Sequence, residues 1–123
     1  MSDPRNIVLV VEDDPLLRLA AVDMLEDAGF ETVEAADAFA AVAILESRTD
    51  VRLVFSDVAM PRGMTGLTLA AMIRDRWPPI EIVLTSGVKD LDASTLPARC
   101  VFYAKPYRPE QVIGSLREFA RGL

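Results

Sequence analysis

The sequence predicts an α/β domain: a doubly wound, five-stranded parallel sheet with helices on both faces. Short apolar, β-branched runs recur along the 123 residues, they alternate with segments of helical period, and several are apolar at successive positions. Strands covered on both faces have this last property, because side chains of both pleat directions are buried. The alternation of strand and helix implies parallel pairing through crossover connections. The length suits one domain with a single core, and no internal repeat, linker or low-complexity tract divides it.

Residues 7–11, Ile-Val-Leu-Val-Val, form a continuous run that reads as a central strand and ends in Glu12-Asp13-Asp14. Pro15 suits the first helical position with Asp14 as N-cap, and Leu16, Leu17, Ala20, Ala21, Met24, Leu25 and Ala28 mark one helical face up to Gly29 as C-cap. Residues 30–35 alternate as a short second strand, after which Asp37 caps a helix carrying Phe39, Val42, Ala43 and Leu45. The third strand, Leu53-Val54-Phe55, stops at the carboxylate of Asp57, and Pro61, Gly63 and Gly66 lead away through a loop. A third helix from about residue 67 carries Leu69, Ala70, Met72 and Ile73 and is ended by Trp77-Pro78-Pro79. Residues 80–84 form the fourth strand, finishing in Thr85-Ser86-Gly87. Between residues 88 and 99, Asp90, Asp92, Ser94 and Pro97 leave room for about two helical turns, so a short or irregular fourth helix is expected. Residues 101–104 form the fifth strand, ending at Lys105-Pro106, and residues 109–123 a final amphipathic helix with Val112, Ile113, Leu116 and Phe119 inward.

Composition narrows the chemistry. A formal net charge of −6 argues against a general nucleic-acid surface, which needs clustered Lys and Arg to release counterions from phosphates. The chain has no histidine, which excludes imidazole zinc sites, Ser-His-Asp triads and phosphohistidine chemistry of its own. Carboxylates, hydroxyls, lysines or a bound metal must therefore run whatever reaction it joins. The single cysteine, Cys100 beside Val101, reads as a packed small hydrophobe. No apolar run reaches the roughly 18 residues of a membrane span, and the first residues lack a signal peptide's basic and apolar regions. The expected location is the cytoplasm, with no membrane partner.

Every strand but the second delivers a polar side chain at or beside its carboxyl end: Glu12 and Asp13, Asp57, Thr85, and Lys105. In an open α/β sheet, ligands bind in the crevice beyond those ends. Taken singly, Asp57 reads as a solvated strand-end acid, Glu12-Asp13-Asp14 as acids complementing a helix dipole, and Lys105 as a solvated lysine before a turn. Four deliveries at equivalent places make coincidence a poor account.

The stretches Val-Leu-Val-Val-Glu-Asp-Asp-Pro, Ser-Asp-Val-Ala-Met-Pro-Arg-Gly-Met-Thr-Gly, Val-Leu-Thr-Ser-Gly and Tyr-Ala-Lys-Pro occur in one order and spacing. In them the chain resembles, over essentially its whole length, the response regulator receiver domain of bacterial two-component signalling. The resemblance implies a flavodoxin-like strand order 2-1-3-4-5, which would set Asp13 and Asp57 across one strand spacing of about 4.8 Å. Carboxylates so close repel by a few kcal/mol, and a divalent cation resolves the conflict; all-oxygen ligands suit Mg²⁺. By the same resemblance Asp57 is the phosphoacceptor, Asp13, Asp57 and the backbone carbonyl of Ala59 hold Mg²⁺, and Glu12 acts through water. Lys105 is then the cation opposite the metal, Thr85 the hydroxyl that meets the phosphoryl group, Phe102 the switch aromatic, and the bond before Pro106 cis.

The implied function is Mg-dependent phosphorelay signalling. Asp57 takes a phosphoryl group from a sensor histidine kinase or a phosphotransfer protein, in a domain that assists its own phosphorylation and dephosphorylation and is not otherwise an enzyme. Residues 1–123 are expected to be a single receiver without an effector domain, standing alone or cut from a hybrid kinase. The sequence leaves the downstream protein and homodimer formation open. A docking module that binds its partner without phosphorylation is the alternative, and the intact set of Asp13, Asp57, Thr85 and Lys105 argues against it. A flavin protein would need a phosphate-cradling loop where Glu12-Asp13-Asp14 stands, and aspartate-nucleophile phosphohydrolases usually carry an acid where this chain has Ala59. The loop Arg62-Gly63-Met64 holds one residue more than the usual pattern, and the stretch from Thr85 to Lys105 is a little short.

Overall fold

The computed structural model describes residues 6–60, 64–87 and 96–122. Its elements in chain order are β1 (Ile7–Val11), α1 (Pro15–Asp27), β2 (Glu31–Ala35), α2 (Ala38–Ser47), β3 (Leu53–Asp57), α3 (Gly66–Arg76), β4 (Glu81–Ser86), β5 (Cys100–Ala104) and α4 (Pro109–Gly122). The strands form one parallel sheet in the order β2-β1-β3-β4-β5, as expected for a flavodoxin-like domain. The short or irregular helix expected within residues 88–99 falls largely outside the described residues, as do positions 61–63 of the loop after Asp57. No helix among the described residues is long and apolar enough to cross a membrane.

The sheet divides two cores. Ile7, Leu9, Val11 and Val54 face α2 and α3, while Val8, Val10, Leu53 and Phe55 face α1 and α4. This is the alternation of a strand buried on both sides, and it accounts for the unbroken apolar run of β1, which is buried at every position. Helix starts follow from side-chain caps. Asp14 accepts hydrogen bonds from the Leu16 and Leu17 amides, Asp37 from Ala40, and Thr65 from Thr68, each occupying an otherwise orphaned N–H. Gly29, at φ +96, supplies the left-handed residue that ends α1.

Two helices match the expected faces only in part: Ala21, Met24, Leu25 and Ala28 of α1, and Val42 and Leu45 of α2, pack inward as expected, while other members of those faces do not. In α1 the buried residues are Ala21, Val22 and Leu25, whereas Leu16 and Leu17 are 77% and 50% exposed. In α2 they are Ala38, Ala41 and Leu45, and Phe39 points outward at 58% exposure. The reason is common to both: these helices are apolar on more than one stripe, so periodicity alone does not select the inward one. Ala38, Ala41 and Leu45 of α2 pack in the core shared with β1 and α3. In α1 the Arg18 guanidinium reaches back to the Glu12 carbonyl at 2.9 Å.

One glycine is fixed by close approach. The Gly66 amide donates to the Val58 carbonyl at 2.8 Å, and a Cβ on Gly66 would lie 2.3 Å from the Asp57 carbonyl oxygen. Helix α3 thus begins in direct contact with the backbone of the strand end. By contrast, a Cβ on Gly114, inside α4, would meet nothing within 4 Å. Gly66→Ala is therefore expected to lower the unfolding free energy by about 1–3 kcal/mol through overpacking, while Gly114→Ala raises it by roughly 0.5–1 kcal/mol through helix propensity. Urea denaturation of the two variants checks the opposed signs.

Candidate functional site

Strand alternation gathers the polar strand ends. Glu12 follows Val8 and Val10 at steps of two, Asp57 follows Leu53 and Phe55, Thr85 follows Val83, and Lys105 follows Val101 and Tyr103. All of those predecessors pack on the α1 and α4 side of the sheet. With a period of two, the four polar side chains leave the sheet on that same side. They line one cavity of about 460 Å³, whose walls include Leu17, Ala20, Phe55 and Tyr107. Register sets their level: Val11 lies opposite Ser56, which brings Glu12 beside Asp57, and Asp57 lies opposite Thr85.

The carboxylates of Glu12, Asp13 and Asp57 each offer an oxygen, and these oxygens lie within 4.8 Å of one another. Lys105 answers them, its Nζ donating to Asp57 Oδ2 at 3.2 Å and standing 3.9 Å from Glu12 Oε1. The Ala59 amide donates to Asp57 Oδ1 at 3.3 Å. Backbone bonds hold the strand ends in place, from the Val58 amide to the Thr85 carbonyl at 2.8 Å and from the Lys105 amide to the Ser86 carbonyl at 2.7 Å. The Lys105–Pro106 peptide bond is cis.

Glu12 is the buried member of the acid cluster, at 7% exposure. Burial, helped by a hydrogen bond to the Asp13 carboxyl and the charge of Asp57, pushes its pKa up to about 7, against the opposing pull of the Asp14 amide and Lys105. Burial and then the charges of Glu12 and Asp57 raise the Tyr107 phenol as well. Its ring meets Phe55 edge to face at 5.8 Å and closes one side of the cavity. A cluster of carboxylate oxygens beside an open cavity is the donor set that a hard divalent cation such as Mg²⁺ takes.

The structure thus brings together Glu12, Asp13, Asp57, Thr85 and Lys105, with Ala59 alongside through its amide. Phe102 is placed apart. It lies opposite Leu84, half-buried against the α2 and α3 core, on the sheet face away from Thr85. Two residues of the site's surroundings escaped the sequence reading. Tyr107 could have been found as the aromatic next to Lys105-Pro106, and Arg18 as the lone cation in the first turns of a helix that follows an acid cluster.

Comparison with known proteins agrees with this geometry. The family model of the response regulator receiver domain matches residues 8–116. The chain is 36% identical over 115 residues to the sensor kinase CckA of Brucella abortus and 35% identical over 118 residues to the response regulator protein FleR of Pseudomonas aeruginosa. These alignments cover 90% and 94% of this chain but 12% and 24% of those relatives, so the chain spans at most a quarter of their length. Among solved structures, a response regulator receiver protein from Sinorhizobium medicae superposes with a TM-score of 0.86 at 25% identity, covering 94% of each chain. The receiver domain of the hybrid histidine kinase CckA superposes with a TM-score of 0.76 at 28% identity, covering 93% of this chain and 98% of that one. With the fold, the acid cluster and the family match in agreement, the chain belongs to the response regulator receiver domain family of two-component signalling.

Proposed function

We propose that Asp57 accepts a phosphoryl group from the phosphohistidine of a sensor histidine kinase or a phosphotransfer protein, and that the modified domain changes its affinity for a downstream protein. The observation that carries this reading is the setting of the Asp57 carboxylate, with the Lys105 ammonium at 3.2 Å and two further carboxylates within 4.8 Å. An Asp57 oxygen attacks phosphorus, the bond from phosphorus to the donor's imidazole nitrogen breaks, and its electron pair returns to the imidazole. Mg²⁺ held by Asp13, Asp57 and the Ala59 carbonyl, with Glu12 reached through water, would supply positive charge to the phosphoryl oxygens. Lys105 supplies a second cation from the Asp57 Oδ2 side. Thr85, opposite Asp57 in the sheet, gives its hydroxyl to a phosphoryl oxygen. If Thr85 moves toward the phosphoryl oxygen, Phe102 is the switch aromatic that would respond, although it lies on the other sheet face, opposite Leu84.

In this reading the domain acts on itself, assisting its own phosphorylation and dephosphorylation. The likeness to the CckA receiver supports a setting within a hybrid kinase as one of its forms.

Incubation with a phosphorylated histidine kinase and Mg²⁺ is expected to label the wild-type chain and to leave Asp57→Ala unlabelled. Label persisting in Asp57→Ala would move the acceptor elsewhere. Lys105→Ala is expected to slow labelling about 100-fold, the size of effect seen when one preorganised charge partner is removed.

Glu12 adds a pH dependence. Its carboxyl binds a proton more tightly in the folded chain than the ordinary 4.5. The stability this contributes is complete below pH 4.5 and is lost as pH rises through about 7. In metal-free buffer, the stability of wild type relative to Glu12→Gln is expected to fall by up to roughly 3 kcal/mol across that window. Mg²⁺ affinity is expected to climb over the same range as Glu12 ionises. Thermal melts with chelator and calorimetric titrations at stepped pH read the two trends.

A further inference from the structure

The β1–α1 turn is clamped from outside the carboxylate cluster, by the backbone of β2 and by Arg18. The Glu12 amide donates to the Ala35 carbonyl at the end of β2, at 3.1 Å. The Glu12 carbonyl accepts from Arg18 Nη1 at 2.9 Å, and Arg18 Nε donates to Glu34 Oε1 at 3.1 Å. Both sides of Glu12 are therefore held, one by the backbone of β2 and the other by a guanidinium that a β2 side chain orients.

The carbonyl of Glu12 belongs to the same planar peptide unit as the amide of Asp13. Fixing that plane fixes where the Asp13 Cα–Cβ bond starts. The buried Glu12 is positioned by its surroundings, whereas Asp13 is exposed and, apart from its carboxyl hydrogen bond to Glu12, takes its aim from its backbone. We propose that Arg18 is a positioning residue for the metal-binding turn: with Glu34 as its orienting partner, it presets the Glu12–Asp13 peptide so that Asp13 points at the Asp57 cluster. This rests on the reading of Glu12, Asp13 and Asp57 as the Mg²⁺ centre.

A guanidinium can be shared between a carbonyl and a carboxylate in one plane; a lysine ammonium keeps the charge but lacks the fork. Positioning and electrostatics therefore separate. If Arg18 acted only as a nearby positive charge, removing it would tighten Mg²⁺ binding and Arg18→Lys would change nothing. If it positions the turn, both Arg18→Ala and Arg18→Lys weaken binding, and Glu34→Gln does so to a smaller degree.

Calorimetric Mg²⁺ titration of the full chain, with melts of the metal-free proteins alongside, makes the test. The expected result is a loss of about 10-fold or more in Mg²⁺ affinity for Arg18→Lys, the range known for groups that orient metal ligands, with the metal-free melting temperature of Glu34→Gln near that of wild type. Unchanged or tighter Mg²⁺ binding by Arg18→Lys or Arg18→Ala overturns the proposal, as does a fall in melting temperature with affinity intact. A wild-type chain that takes up no Mg²⁺ would instead refute the metal centre itself.

Discussion

Repulsion among the carboxylates of Glu12, Asp13 and Asp57 is the constraint around which the upper edge of the sheet is arranged. Oxygens within 4.8 Å of one another cost about 3–4 kcal/mol per ionised pair at a surface-like effective dielectric. The chain meets the cost in two ways without any ligand: Lys105 stands between Asp57 and Glu12, and Glu12 holds its proton until about pH 7. Neither is a full solution, since one ammonium faces an acid trio. The surplus negative charge makes the cluster receptive to a divalent cation.

The fold delivers this arrangement through pairing and period rather than through a specialised loop. Parallel register puts Glu12 level with Asp57 and Asp57 level with Thr85, and alternation sends all of these side chains toward the α1 side. The close packing of Gly66 on the Asp57 carbonyl and the amide of Ala59 on its carboxylate fix the strand end from below and beside. Chemistry at the tips is thus coupled to the burial of residues such as Leu53 and Phe55 in the same strand.

Much of this was legible before any coordinates. β1 and the caps Asp14 and Asp37 fall where the sequence places them, because a doubly buried strand and an N-cap leave local signatures. The gathering of Glu12, Asp13, Asp57, Thr85 and Lys105 also follows once strand order is supplied by the resemblance. The inward faces of α1 and α2 were legible only in part: Ala21, Leu25 and Leu45 are buried as the pattern implies. Leu16, Leu17 and Phe39 satisfy a helical hydrophobic pattern as well as the residues that are buried, and only contacts from distant elements decide between them. Arg18 was visible as the lone cation near the start of α1, but its partners, a backbone carbonyl and a β2 side chain, have no sequence signature.

A crystal structure grown with Mg²⁺ and beryllofluoride tests the central claim most directly. The account predicts a metal ion between Asp13 and Asp57, a beryllofluoride group on an Asp57 oxygen, and Lys105 Nζ turned from the carboxylate toward a fluorine. A metal bound away from residues 13 and 57, or a beryllofluoride group on another carboxylate, would contradict it.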